Sequence, residues 1–174
     1  MSRSKLCELT LDDLAEDCRV IVAGDIHGDY EGFRRICGLF DPVRDFLMFL
    51  GDYADRGPMG VEVVEGVMEL VGSYPGRVIA LKGNHEDYTV DGRPKFMPCD
   101  LMFEAEERRG GWEMYFKDEL KPFIEELFLA VLVPGEALFV HGGVSSKVED
   151  VDDLRLPSPS VEEDVLWSET FEGF

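Results

Sequence analysis

The chain has 174 residues, and 45% of them are apolar, which is enough for the core of one domain and argues against intrinsic disorder. Seventeen basic residues against 37 acidic ones give a net charge of −20, so we expect neither a nucleic-acid partner nor binding to an anionic membrane. The N-terminus lacks the apolar run of a secretory signal, and no stretch approaches the roughly 18 consecutive apolar residues of a membrane span.

Three apolar runs, each closed by a glycine, predict the strands of a sheet. They cover residues 19–24, 45–50 and 77–81. Between them, residues 30–40 and 60–71 carry apolar side chains at helical spacing and are predicted as amphipathic helices. This alternation of strands and helices is typical of a parallel sheet with right-handed crossovers.

The rest of the chain gives weaker patterns. Residues 87–98 are predicted as a loop because Gly92, Pro94 and Pro98 interrupt them. The other predicted elements are a helical segment at 9–16, helices at 100–109 and 116–128, a hairpin of strands 129–133 and 137–140, and a short helix around 161–166.

The four cysteines, Cys7, Cys18, Cys37 and Cys99, are scattered along the chain. They form no CxxC pair and have no histidine at zinc-finger spacing, so neither a zinc finger nor a disulfide framework is indicated. We expect four mostly buried free thiols in a reducing environment, and therefore a cytoplasmic protein.

Polar, glycine-rich clusters follow four of the predicted strands. They are GDIHG (24–28), GDYADRG (51–57), GNHE (83–86) and HGG (141–143). Together they contain all three histidines and the single asparagine of the chain. Each cluster alone is more often a structural turn, but their joint placement at the edge where α/β sheets bind ligands favours a metal site.

Individual residues of these clusters suit that chemistry. Asp25 and His27 are two residues apart, which in an extended segment places both side chains on one face, converging on one ion. Asp52 is placed to bridge two ions through its carboxylate. Asn84 and His141 offer an amide oxygen and an imidazole nitrogen, both ordinary ligands of divalent metals.

In this order, the four motifs resemble the signature of the metal-dependent phosphoprotein phosphatases, within the calcineurin-like superfamily. Residues 165–168, VLWS, also resemble the tryptophan segment of that family, so the similarity extends from about residue 20 to residue 168. The resemblance implies an α/β fold with a β-sandwich core flanked by helices. It also implies a single metallophosphoesterase catalytic domain over residues 1–174.

The resemblance further implies two divalent metal ions, with manganese favoured and iron or zinc as alternatives. By that similarity, Asp25, His27 and Asp52 would hold the first ion. Asp52, Asn84 and His141 would hold the second, with Asp52 shared between the two.

The resemblance also assigns catalytic roles. His85 would be the general acid that protonates the leaving oxygen, oriented by Asp55, while Arg56 and Asn84 would contact the phosphate. The function implied is hydrolysis of phosphoserine and phosphothreonine esters in proteins by water activated between two metals. Two alternatives stay open: a dinucleoside polyphosphate hydrolase, suggested by the sequence RGP at 56–58, and a truncated metal-binding protein without catalysis.

The family pattern continues beyond the tryptophan segment with another phosphate-binding arginine, a further metal-ligand histidine and strands that complete the sandwich. This chain ends seven residues after Trp167, so we expect its C-terminal part to be incomplete. The explanations that compete are a shortened chain, completion by a partner chain or domain swap, and loss of activity. The segment between GNHE and HGG also carries extra residues around 91–98, which bears on substrate choice.

Overall fold

The computed structural model describes residues 3–10, 13–14 and 17–168. The strands in this part of the chain are β1 (Leu6–Glu8), β2 (Val20–Ala23), β3 (Phe46–Phe49), β4 (Val78–Ala80), β5 (Ala130–Val133) and β6 (Ala137–Val140). The helices are α1 (Tyr30–Cys37), α2 (Gly60–Ser73), α3 (Asp100–Arg108), α4 (Trp112–Tyr115), α5 (Lys121–Glu126), α6 (Val151–Arg155) and α7 (Pro159–Trp167). A 3₁₀ turn covers Asn84–Glu86, and a π-helical turn, Phe116–Leu120, joins α4 to α5.

The strands form two sheets of three. In the first sheet, β2, β3 and β4 lie parallel in that order, as the strand–helix alternation predicts. In the second sheet, β5 pairs with β6 as the predicted antiparallel hairpin, and β1 adds to the other edge of β5 in parallel. The sequence did not predict β1, so the second sheet has one strand more than expected.

The two sheets pack face to face on apolar side chains that alternate along the strands. Phe46 and Met48 of β3 point to the second sheet and contact its Val131 and Val133. The residues between them point the other way, into the core under the helices. All four residues of β3 are buried, which is why this strand has an unbroken apolar sequence instead of an alternating one.

Helices cover both outer faces of this sandwich. On the first sheet, α1, α2 and α3 pack over the strands, as the core cluster around Phe33, Phe49 and Val67 shows. On the second sheet, α7 and α6 supply Val165 and Leu154 against β1 and β5. The β-sandwich flanked by helices that the resemblance implies is therefore confirmed.

Gly66 interrupts the apolar face of α2, yet the packing requires it. A Cβ atom at this position would lie 2.6 Å from the Phe33 ring of α1, closer than carbon atoms can approach. The glycine thus allows α1 and α2 to come together over the first sheet.

Several element predictions need correction. The helix predicted at 116–128 begins at Trp112 and ends at Glu126, and α6 was not expected. Leu9 donates its N–H to Leu132, so the chain after β1 still runs beside β5. Of the helical segment predicted at 9–16, residues 11–12 and 15–16 lie outside the described part, and the remaining positions are not helical.

All four cysteines lie within the described residues and are free thiols, as expected. The expectation that most are buried is wrong, because Cys99 is buried while the other three are half-buried. In the part of the chain that the structure describes, no helix has the length and apolar character needed to cross a bilayer.

Candidate metal centre

The loops that follow β2, β3, β4 and β6 meet at one edge of the sandwich and line a cavity of about 400 Å³. The polar side chains that line it are Asp25, Asp52, Arg56, Asn84, His85 and His141. His27 lies next to these residues, and its Nε2 atom is 3.4 Å from Oδ2 of Asp52. The four polar clusters of the sequence therefore meet in one place.

The backbone of these loops is strained. Within the described residues, the non-glycine residues with positive φ are His27 (47°), Asp52 (55°), Asp55 (69°) and Arg56 (65°). A side chain in this left-handed region costs on the order of 1 kcal/mol, and such residues persist where the surrounding contacts hold them. Here the N–H groups of Ile26 and His27 both donate to the carbonyl of Asp52, at 3.0 and 2.9 Å, which locks the first two loops together.

The His27 imidazole turns an unprotonated nitrogen towards Asp52. Its Nδ1 lies 2.9 Å from the carbonyl oxygen of Ala54, and since a carbonyl only accepts, Nδ1 carries the proton. In the neutral ring, Nε2 is then a bare acceptor, and it is buried with no hydrogen-bond partner among the residues that the structure describes. It faces carboxylate oxygens of Asp52 at 3.4 Å and Asp25 at 3.7 Å.

His141 repeats this arrangement on the other side of Asp52. Its Nδ1 lies 2.9 Å from the carbonyl oxygen of Leu50, so Nε2 is again the acceptor. That nitrogen lies 3.4 Å from Oδ1 of Asp52 and 3.0 Å from the side-chain oxygen of Asn84. The same Asn84 oxygen is 3.1 Å from both carboxylate oxygens of Asp52.

Acceptor atoms thus face one another across Asp52 with no proton between them. Turning the Asn84 amide by 180° would place its NH₂ group against Asp52 and His141. For His27, whose Nδ1 is fixed by a carbonyl, only a second proton on the ring would have the same effect. A divalent cation on each side would satisfy these lone pairs, so the residues present fit two ions that share Asp52.

The distances join candidate ligand atoms in two groups, which differ from the two sets that the resemblance implies. Ligand atoms of His27, Asp52 and His85 lie within 4.8 Å of one another, as do those of Asp25, Asp52 and His141. Asp52 belongs to both groups, which agrees with a bridging position. Mixed oxygen and nitrogen donors of this kind suit manganese, iron or zinc.

His85 lies beside the metal ligands and is held by a buried carboxylate. Its Nδ1 is 2.7 Å from Oδ2 of Asp55, whose other oxygen accepts the N–H of Leu101 at 2.9 Å. Burial lowers the pKa of His85, but the hydrogen bond that its ring donates to Asp55 and the charge of Asp52 outweigh this effect and raise the pKa above its ordinary value. The Nε2 atom points to the cavity, 3.4 Å from a guanidinium nitrogen of Arg56.

Sequence reasoning missed the part played by Glu86, although this residue belongs to the GNHE motif. Its buried carboxylate accepts backbone N–H groups from Asp52 (2.8 Å), Tyr53 (3.1 Å) and Gly83 (2.9 Å). Burial and the neighbouring charge of Asp52 raise the pKa of Glu86, while the three N–H groups oppose this shift. The side chain ties the second loop to the third.

Sequence reasoning also identified only part of the apolar side of the cavity. Phe96, Met97, Leu166 and Trp167 line it. Trp167 and Leu166 belong to the tryptophan segment that the motifs pointed to, whereas Phe96 and Met97 lie in the segment of extra residues. The spacing of apolar residues in that segment does not distinguish Phe96 and Met97 from ordinary loop residues.

Comparison with known proteins agrees with this fold. The family model described as "Calcineurin-like phosphoesterase" matches residues 18–173. The chain is 33% identical over 162 residues to a serine/threonine-protein phosphatase of Caenorhabditis elegans, covering 88% of this chain and 34% of that protein. It is 29% identical over 181 residues to the serine/threonine-protein phosphatase 6 catalytic subunit of Drosophila melanogaster, covering 95% and 57%.

A solved structure gives the same result for the fold. A protein serine/threonine phosphatase from Saccharomyces cerevisiae, with similarity to human phosphatase PP5, superimposes with a TM-score of 0.71 at 22% identity. The superposition covers 98% of this chain and 55% of that one. The chain belongs to the calcineurin-like phosphoesterase family, and it spans between 34% and 57% of the length of these relatives.

Proposed function

We propose that this chain forms the catalytic part of a metal-dependent phosphatase that hydrolyses phosphoserine and phosphothreonine esters. The observation that carries the proposal is the convergence of proton-free acceptor atoms on both sides of Asp52, next to the His85–Asp55 pair. The names of the relatives, serine/threonine-protein phosphatases, support the substrate class.

The proposed metals are two divalent cations, with manganese favoured. Asp25, His27 and Asp52 would hold one ion, and Asp52, Asn84 and His141 the other. When bound, two such ions hold phosphoryl oxygens and lower the pKa of water so that it attacks phosphorus at neutral pH.

The chain's own side chains would do the rest. Arg56 is exposed at the cavity and presents a planar fork that suits two phosphate oxygens. A phosphate that draws Arg56 towards itself leaves Nε2 of His85 free to carry a proton to the leaving oxygen. Asp55 holds the ring in position for this transfer and stabilises its protonated form.

The test is an assay of the purified chain with Mn²⁺ on a phosphoserine peptide and on diadenosine tetraphosphate. We expect hydrolysis of the peptide, and its loss when the metal is chelated. A strong preference for the dinucleotide would contradict the proposal and favour the hydrolase alternative. Binding of two ions without hydrolysis of either ester at any pH would favour a metal-binding protein.

Two variants separate the proposed roles. His85→Ala should lower peptide hydrolysis by about 100-fold or more while two ions stay bound, because the ring acts as an acid. Asp52→Asn should deplete both ions, since this carboxylate lies in both groups. Loss of both ions in the first variant, or retention of both in the second, would refute the assignment; metal analysis by mass spectrometry measures this.

A further inference from the structure

We propose that Phe96 is a positioning residue for proton transfer: its ring holds the His85 imidazole in the orientation from which Nε2 reaches the leaving oxygen. This inference rests on the proposed function. It assigns a role to the segment of extra residues at 91–98, which the motifs of the family do not include.

The contact between the two rings is direct. The Phe96 and His85 ring centroids are 4.5 Å apart with the planes inclined by 41°, and both side chains are buried. On another side, the His27 ring meets His85 edge-on at 4.9 Å. The hydrogen bond to Asp55 fixes only one corner of the imidazole, at Nδ1. An imidazole that is fixed at one atom can still tilt. The packing of Phe96 and His27 against the His85 ring therefore determines the direction in which Nε2 points.

The extra segment is folded back on itself so that Phe96 has a fixed place. Tyr88 and Pro94 form an antiparallel bridge, and Thr89 donates its N–H to Arg93 at 2.8 Å. The base of this small loop is closed by Lys95, whose N–H donates to the Asp87 carbonyl at 2.9 Å. Phe96 follows Lys95 directly, so this hydrogen bond also fixes the backbone position of Phe96.

A second layer of aromatic rings supports Phe96 from behind. Tyr88 packs edge-on against Phe96 with the ring centroids 5.1 Å apart. Tyr88 in turn packs against Trp112 and Phe116, at 5.6 and 5.5 Å. These two residues lie in α4 and the π-helical turn, so the wall beside His85 is anchored in the body of the protein.

The chemistry makes this role measurable. In the proposed hydrolysis, the water gives one proton to the solvent, its oxygen bonds to phosphorus, and the bond from phosphorus to the ester oxygen breaks. The electron pair of that bond stays on the ester oxygen, which takes the proton from Nε2 of His85. A seryl alkoxide is a poor leaving group and needs this proton, whereas nitrophenolate leaves without it. A misplaced His85 therefore slows alkyl esters selectively.

The experiment compares Phe96→Ala and Phe96→Leu with the unchanged chain, all loaded with Mn²⁺, on a phosphoserine peptide and on p-nitrophenyl phosphate. We expect Phe96→Ala to lower kcat for the peptide about tenfold or more and kcat for the aryl ester by less than about threefold. Phe96→Leu keeps an apolar side chain beside His85, so its kcat for the peptide should lie between that of Phe96→Ala and that of the unchanged chain. His85→Ala should show a still larger difference between the loss on the peptide and the loss on the aryl ester.

Val90→Ala is the matched control, because Val90 lies in the same loop with 84% of its surface exposed. It should leave both rates unchanged. Retained hydrolysis of the aryl ester shows that a variant is folded. An equal loss on both esters, or no loss on either, would overturn the proposal, and if Phe96→Ala does not fold, Phe96→Leu is judged by the same criterion.

A second measurement does not depend on activity. The chain has three histidines, so the proton NMR spectrum of the metal-free chain contains three imidazole Hε1 resonances, and His85→Ala identifies that of His85. Phe96→Ala should shift this resonance, and Val90→Ala should not; an unchanged resonance would overturn the inference. If the unchanged chain hydrolyses neither ester, the proposed function fails, and the spectrum still tests the contact between Phe96 and His85 on which the inference depends.

Discussion

Glu86 illustrates how a single buried carboxylate sets the geometry of two loops. Three backbone N–H groups, from Asp52, Tyr53 and Gly83, donate to its two oxygens. Such groups would cost about 1–3 kcal/mol each if buried without a partner. Because Asp52 is strained at positive φ and Asn84 follows Gly83 directly, the carboxylate holds both proposed ligands in place from behind.

Replacing Glu86 by Gln should therefore weaken metal binding. The amide has one acceptor oxygen in place of two, and its NH₂ group would face a backbone N–H that needs an acceptor. Changes to the groups that hold metal ligands typically cost about 10- to 100-fold in affinity, and we expect a loss of about tenfold at the lower end of that range. Isothermal titration of the chain with Mn²⁺ measures it.

Glu104→Gln provides the control. Glu104 is also a buried carboxylate that accepts backbone N–H groups, those of Gly60 and Val61 at 3.1 and 3.2 Å, but it caps α2 and does not hold the ligand loops. It should lower thermal stability and leave the Mn²⁺ dissociation constant unchanged. If both variants weaken metal binding equally, the effect of Glu86 is general destabilisation and not positioning.

At the scale of elements, the local sequence pattern predicted those strands and helices that have an apolar face of their own. The strands β3 and β4 follow unbroken apolar runs because both of their faces are covered. The bounds of β2, β3 and β4 agree with prediction to within a residue or two. The three-residue strand β1 has no such run, and its pairing of Leu6 with Ala130 depends on chain far away in sequence. Its existence is decided by tertiary contact, which a local pattern does not contain.

Gly66 gives a test of element packing. Substitution by Ala removes a poor helix former, worth up to about 1 kcal/mol in a helix interior. It also places a Cβ 2.6 Å from the buried Phe33 ring, and overpacking of this kind costs about 1–3 kcal/mol. We therefore expect Gly66→Ala to lower the free energy of unfolding, measured by urea denaturation.

Gly72 lies in the same helix and gives the matched comparison. No atom of the described residues lies within 4 Å of a Cβ built there, so Gly72→Ala should keep or raise stability through helix propensity alone. A Gly66→Ala variant as stable as Gly72→Ala would mean that Phe33 moves aside without cost. The close approach of α1 and α2 would then not require a glycine.

At the scale of the whole molecule, the candidate site depends on two sheets. Asp25, Asp52 and Asn84 follow parallel strands of the first sheet, so the sequence alone predicts that they share an edge. His141 follows β6 in the second sheet, and only the packing of the sandwich brings it within 3.0 Å of Asn84. Phe96 reaches the site through a loop whose fold depends on α4, so no local pattern predicts it.

Metal binding should stabilise the whole chain. The centre places carboxylates of Asp25 and Asp52 beside bare imidazole nitrogens, in a protein of net charge −20. Cations that bind only the folded state add about 2.7 kcal/mol per site at 100 times the dissociation constant, which for a chain of this size corresponds to about 5–10 °C in Tm. Differential scanning calorimetry with Mn²⁺ and with a chelator measures the difference.

Two comparisons separate specific binding from screening of the acidic surface. Sodium chloride at the same ionic strength reduces repulsion between carboxylates but does not satisfy the lone pairs around Asp52, so its effect on Tm should be much smaller. Asp52→Asn should lose most of the Mn²⁺-dependent rise, because this carboxylate lies in both ligand groups. An equal rise in this variant would show that Mn²⁺ acts on exposed acidic residues, and the centre would then contribute little to the stability of the fold.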